Sequence, residues 1–191
     1  MSTFQLFRWW RYRQIKHKDM FYFVWVVPLL LTTFVMAAYL FSPAKPHILG
    51  EGGILSAFLV ALSVLPGFLI AGLATVSAIN NDFVDMELPE PTPTIPVESR
   101  GHMVEVNLTA RLFLLSLFSY ISILSIILLV VSAIGSNLFD PEVVSVYTKH
   151  VPVRQFIEVI LLGVYAYFLS SLFVSLIHGI YFLAERVHKS D

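Results

Sequence analysis

Four long apolar stretches constrain the fold of this chain more than any other feature. They occupy residues 21–42, 54–79, 108–134 and 153–183. A helix needs about 20 residues to cross the hydrocarbon core of a bilayer, and all four stretches reach that length. Hydrophobic residues make up 57% of the chain and charged residues 13%. Soluble domains contain fewer hydrophobic and more charged residues. The sequence therefore predicts an all-α membrane protein, a bundle of four transmembrane helices.

The segments between the spans predict the rest of the organisation. We expect an N-terminal tail at 1–20, outer loops at 43–53 and 135–152, a cytoplasmic loop at 80–107 and a C-terminal tail at 184–191. Lys and Arg residues near the ends of spans favour the cytoplasmic side. The N-terminal tail holds Arg8, Arg11, Arg13, Lys16 and Lys18. This distribution predicts that both termini are cytoplasmic.

The sequence lacks the charges and motifs that several classes of function require. No span carries a charge near its middle, which argues against ion-coupled transport. The chain has no cysteine, no phosphate-binding loop, no zinc-protease helix and no nucleophile elbow. Its six histidines are scattered without the spacing of metal ligands. We therefore predict no catalytic, cofactor or metal site, and the net charge of −1 disfavours direct nucleic-acid binding.

Polar groups gather on one face of the fourth span. At 100° per residue they fall within an arc of about 120°. We call this set the polar seam: Gly163, Tyr167, Ser171, Ser175, His178, Tyr181 and Glu185. Lipid offers such groups no hydrogen bonds, so the face should meet protein or water. Three interpretations stay open: polar contacts between packed helices, the lining of a water-filled path, and a Ser–His catalytic pair.

Charges at the inner membrane edge suggest an ion pair. Arg111 stands one turn inside the third span, and Glu185 stands at the inner end of the fourth. Asp82 and Asp85 follow the second span on the same side. We predict that Arg111 pairs with one of these three carboxylates; the alternative is that it reaches the lipid phosphates alone.

The cytoplasmic loop is acidic and rich in proline. Closely spaced prolines exclude helix and favour extended polyproline II structure, which suits a docking segment because little entropy is lost on binding. The alternative is a stiff, solvated spacer. The predicted docking residues are Glu87, Pro89, Glu90, Pro91, Pro93 and Pro96.

The N-terminal tail mixes aromatic and cationic side chains. The relevant residues are Arg8, Trp9, Trp10, Arg11 and Arg13. Trp favours the membrane interface, and Arg favours the anionic lipids of the inner leaflet. We therefore predict an interfacial anchor; nucleic-acid contact by base stacking is the alternative.

Small residues recur at helical spacing in the second span. The pairs Ala57/Ala61, Gly67/Ala71 and Ala74/Ala78 are each four residues apart. Such spacing permits close helix approach, either within the bundle or between subunits of a homo-oligomer.

Two stretches carry a resemblance to a known class of proteins. The residues at 65–74, LPGFLIAGLA, and at 109–120, TARLFLLSLFSY, resemble small membrane effectors of bacterial antiphage systems, such as those of retrons. The resemblance implies a protein of the bacterial inner membrane that cytoplasmic partners hold inactive and that damages the membrane once released. Our functional hypothesis is accordingly a non-catalytic, membrane-permeabilising effector or toxin. The alternatives are an anchoring or assembly subunit of a larger membrane complex and an intramembrane enzyme.

Overall fold

A computed structural model shows the protein to be 79% helical, with four helices long and apolar enough to cross a membrane. This confirms the predicted all-α membrane fold. The described residues are 10–16, 18–43, 47–50, 52–78, 82–90, 92–99, 102–137 and 151–188.

The helices and strands follow the chain in this order: α1 Lys18–Phe21, a π turn Tyr22–Val26, α2 Val27–Phe41, α3 Ile54–Ala78, α4 Asp82–Asp85, β1 Thr94–Ser99, β2 His102–Asn107, α5 Ala110–Asn137 and α6 Val151–His188. The π turn and α2 together form the first span, Tyr22–Phe41. The last helix extends past its membrane-spanning part, Glu158–Ala184, at both ends.

A proline explains the irregular start of the first span. Pro28 has no N–H with which to continue the helical hydrogen bonds back towards Val24. The backbone widens into the π turn just before it, and Pro28 occupies the first turn of α2.

The spans pack in the order α2, α6, α5, α3, so α5 is covered on two sides. Two glycines allow the closest approaches. A Cβ at Gly179 of α6 would lie 2.6 Å from a methyl carbon of Leu117 on α5, and a Cβ at Gly135 of α5 would overlap Leu55 of α3. In contrast, the six residues of the three small-residue pairs on α3 are all exposed. These pairs therefore face outward from the bundle.

The loop between the second and third spans differs from the predicted polyproline II segment. β1 and β2 form an antiparallel hairpin, with Thr94 opposite Asn107 and Pro96 opposite Glu105. The prolines do keep the chain extended, but an edge strand tolerates Pro96, which lacks a donor. The Leu108 amide donates to the Pro93 carbonyl at 2.9 Å and holds the base of the hairpin at the start of α5.

Candidate functional site

The middle of the polar seam lies in the interior of the protein, where α6 meets α5. Ser171 and Ser175 are 1% and 3% exposed. The Ser171 hydroxyl lies 2.9 Å from the hydroxyl of Tyr120, itself fully buried on α5. The middle of the seam is therefore satisfied by a partner on the neighbouring helix.

The chain's own N-terminal segment, by which we mean residues 10–16, contacts the flanking seam residues Tyr167 and His178. Tyr12 is 1% exposed. Its ring stacks on Tyr120 with 5.3 Å between centroids and an interplanar angle of 28°, and it also contacts Phe113 at 6.2 Å. Its hydroxyl lies 3.0 Å from Nδ1 of His178. Tyr12 thus closes the inner half of the seam.

Arg13, the next residue, is 8% exposed and occupies a pocket of aromatic rings. Its guanidinium carbon lies 3.8 Å from the ring centroid of Trp25, 4.8 Å from that of Trp10 and 5.6 Å from that of Tyr167. The guanidinium also donates a hydrogen bond to the Tyr167 hydroxyl. We call Trp10, Trp25 and Tyr167 the aromatic cradle.

The cradle places a cation at membrane depth. Tyr167 stands nine residues inside the span Glu158–Ala184, or about 14 Å along the helix. Among the side chains that the structure describes, no carboxylate pairs with Arg13. The spans themselves have no central charge, as the sequence shows, yet the N-terminal segment brings one between them.

The aromatic rings take the place of a counterion. An arginine at the centre of a membrane helix costs about 3 kcal/mol on insertion scales. A desolvated cation–π contact contributes about 2 kcal/mol. The three ring contacts of Arg13 and its hydrogen bond therefore offset the cost of burying the guanidinium.

A second set of contacts ties the N-terminal segment to the β-hairpin. The Lys16 amide donates to the Thr94 carbonyl at 3.0 Å, and the Lys16 ammonium donates to the Glu105 carboxylate. This hydrogen bond and the positive charge of Lys16 lower the pKa of Glu105. We call Lys16, Thr94 and Glu105 the hairpin latch. Through it, the loop between the second and third spans touches the segment that closes the seam.

No known family model, curated protein or solved structure matches this chain. Its function must therefore be argued from the site itself.

The remaining seam residues have separate positions. Gly163 faces α2, where a Cβ would lie 3.7 Å from the terminal methyl of Met36. Tyr181 is 64% exposed and points away from the buried part of the seam. The Glu185 side chain lies outside the described part of the structure. The interior seam consists of Tyr167, Ser171, Ser175 and His178.

The contacts of His178 bear on the proposed Ser–His pair. Its ring lies between Phe23, at 5.2 Å, and Phe113, at 5.4 Å. The hydrogen-bonding partner of its Nδ1 is Tyr12, not a serine. Within the described residues, no three His, Asp or Glu side chains lie close enough together to hold a metal ion.

Arg111, near the start of α5, has a carboxylate partner. Its Nε and Nη2 donate to the two carboxylate oxygens of Asp85, at 2.6 Å and 2.9 Å. Asp85 is one of the three predicted partners. The side chains of the other two, Asp82 and Glu185, are outside the described set.

Two residues of the predicted interfacial anchor, Trp10 and Arg13, pack against other parts of the protein. Trp10 packs edge-on against Tyr120 at 6.0 Å, and Arg13 is buried in the cradle. Arg11 is partly exposed. Arg8 and Trp9 lie outside the described residues. The described part of the tail packs into the protein because the hydroxyl face of α6 and the rings of Trp25 and Tyr167 are available there.

The predicted docking residues are partly built into the hairpin region. Glu87 accepts a hydrogen bond from the Asn107 side chain at 2.9 Å, and Pro96 lies in β1. Pro89 and Glu90 are exposed, while Pro91 lies outside the described residues. Docking of a partner by the exposed stretch stays a prediction.

Several residues of the site escaped the sequence-based prediction. Tyr12, Trp25 and Tyr120 complete the seam and the cradle, and Lys16 and Glu105 form the latch. Two sequence features could have indicated these contacts. One is the mixture of aromatic and cationic residues in the short N-terminal tail, and the other is the polar face of the fourth span, which needs a partner. The pattern alone suits a lipid interface equally well.

Proposed function

We propose that the protein is a non-catalytic effector of the bacterial inner membrane, and that it permeabilises the membrane when its N-terminal segment leaves the polar seam. One observation carries the proposal: the hydroxyl-lined face of α6 is closed by Tyr12 and Arg13, which belong to no span. The resemblance to antiphage membrane effectors suggests the setting.

Removing the segment leaves the seam chemically incomplete. Tyr167 loses the guanidinium of Arg13, and His178 loses the Tyr12 hydroxyl. Polar groups without partners cost several kcal/mol each in hydrocarbon, so water or another chain must replace the segment. A row of hydrated hydroxyl groups along α6 is a plausible start for a path across the membrane.

The same proposal assigns topology and assembly. With both termini cytoplasmic, the hairpin latch faces the cytoplasm, where a protein partner can hold or release it. The outward small-residue face of α3 suits packing against a second copy of the chain, because small side chains let helix backbones approach closely. A homo-oligomer would thereby enlarge the opened path.

Expression in bacteria tests the proposal. We expect cells that make the variant Tyr12→Ala/Arg13→Ala to lose membrane potential and stop growing, whereas cells that make the wild type keep both. The variant Gln14→Ala is the matched control, because Gln14 belongs to the same segment but is exposed. Unchanged potential and growth at equal membrane abundance of the double variant would sink the proposal.

One observation favours the second candidate, an anchoring or assembly subunit. The first span is the least covered of the four, with 17% of its apolar window buried, and it exposes large side chains such as Phe34 and Phe41. A membrane partner could cover this face. Stoichiometric copurification of such a partner, with no toxicity from any variant of the N-terminal segment, would favour this function. The intramembrane enzyme has no supporting contact, since His178 faces Tyr12.

A further inference from the structure

The aromatic cradle is a built cation site, and its occupant comes from the chain itself. We propose that the cradle and the apolar cavity beside it bind an alkylated guanidinium, a planar organic cation with an apolar substituent, in competition with Arg13. Binding of such a ligand does not depend on the proposed function.

The chemistry of the cradle selects a weakly hydrated planar cation. Trp10, Trp25 and Tyr167 present ring faces to the guanidinium, and the Tyr167 hydroxyl accepts one of its hydrogen bonds. Guanidinium stacks on aromatic rings and is less strongly hydrated than an ammonium group, so it gives up less on burial. The buried Nε of Arg13 has no hydrogen-bonding partner, so Arg13 does not satisfy all of its donors in the cradle.

The second part of the site is apolar. A cavity of about 290 Å³ adjoins Trp10 and lies between α5 and α6. Its walls include Leu124, Leu128, Val164 and Phe168. Trp10 borders both the cavity and the cradle. A ligand with its cation on the cradle can therefore extend an alkyl chain into this space, where burial of each CH₂ contributes about 0.8 kcal/mol.

The expected consequence is displacement of the Arg13 side chain from the cradle. The ligand and Arg13 cannot occupy the cradle together, because both need the faces of the same rings. Binding of the ligand therefore favours the state in which the Arg13 side chain has left the rings, while Trp10 stays in place as a wall of the site.

The test uses the full-length protein in lipid nanodiscs. The variant Arg13→Gly empties the cradle, and butylguanidinium, guanidinium and the neutral isostere butylurea serve as probes. We expect butylguanidinium to raise the Tm of this variant by about 5–10 °C at a concentration of about 100 Kd. Guanidinium should act more weakly because it leaves the cavity empty, and butylurea should have no effect.

Two further measurements keep the proposal open to refutation. Adding Trp25→Ala removes the ring closest to the cation. We expect the affinity for butylguanidinium to fall at least tenfold. If Arg13→Gly does not fold, the tryptophan fluorescence of the wild type is titrated instead, where a saturable change with butylguanidinium but not butylurea is expected. Equal responses to both compounds, or none, would overturn the site. A leak assay plays no part in this readout, so failure of the effector hypothesis would be seen separately.

Discussion

Truncation of Tyr12 is the sharpest perturbation of the closed seam. The side chain is almost fully buried, stacks on Tyr120 and reaches His178 with its hydroxyl. It lies in the N-terminal segment rather than in a span, so its loss should weaken docking of that segment and leave the four helices folded. We therefore expect Tyr12→Ala to raise the fraction of molecules with an open seam.

The size of the effect follows from the burial of the ring. Truncation of a buried aromatic side chain to alanine costs about 3–5 kcal/mol. Because every 1.4 kcal/mol changes an equilibrium about tenfold, the ratio of open to closed molecules should rise by about 10²- to 10³-fold. The variant Tyr12→Phe loses only the hydroxyl contact, worth about 1 kcal/mol, and should raise the ratio about fivefold.

The chain offers a clean assay because it has no cysteine. A single Ser175→Cys thiol sits beneath Tyr12, and a water-soluble methanethiosulfonate reagent modifies it only when the seam is open. When opening and closing are fast, the modification rate follows the open population. We expect slow labelling in the otherwise wild-type segment, about fivefold faster labelling with Tyr12→Phe and at least 10²-fold faster labelling with Tyr12→Ala.

A matched thiol separates opening from general loosening. Ser132 is fully buried and hydrogen-bonded at 2.8 Å to Tyr165, so it lies between α5 and α6 without cover from Tyr12. Ser132→Cys should stay unlabelled in every variant. Equal labelling of Ser175→Cys with and without Tyr12→Ala would refute the reasoning, and so would parallel labelling of both thiols.

Two further predictions concern the packing of the bundle and the hairpin latch. Gly179→Ala places a Cβ 2.6 Å from a leucine methyl of α5. We therefore expect the free energy of unfolding, measured by detergent unfolding, to fall by about 1–3 kcal/mol. Gly67→Ala is the control, because a Cβ there would meet nothing within 4 Å. Glu105 has a lowered pKa, so the latch contact is intact above the ordinary carboxyl value of 4.5 and is lost as pH falls through the lowered one. In the wild type, a spin label at the exposed position 14 should become more mobile in acid. In Glu105→Gln, the label should be mobile at every pH. A label whose mobility does not change with pH in either protein would contradict the latch with Lys16.

The spans could be predicted from sequence because lipid leaves few alternatives for long apolar stretches. The buried face of α6 followed from the 100° spacing of Ser171, Ser175 and His178. What covers that face could not be derived, since the aromatic and cationic residues of the tail suit a lipid interface and a protein interior alike. Only tertiary packing decides between the two.

The hairpin shows a different kind of miss. The prolines at 89–96 indicated an unpaired extended segment. The same region also contains the sequence pattern of a β-hairpin, which this interpretation overlooked. The residues at 94–99 and 102–107 are alternating runs separated by Arg100-Gly101, and a two-residue connection that contains glycine is typical of a hairpin. Pro96 weakened that signal because proline cannot donate within a sheet, yet it is tolerated on an edge strand.

Ion flux through liposomes that contain purified protein tests the central claim most directly. The account predicts that wild-type protein leaves the vesicles tight and that Tyr12→Ala/Arg13→Ala makes them leak. It also predicts that modification of Ser175→Cys in the leaking variant reduces the flux, because that thiol lines the opened seam. Tight vesicles with the double variant, or a leak that modification at residue 175 does not change, would contradict a path along α6 closed by the N-terminal segment.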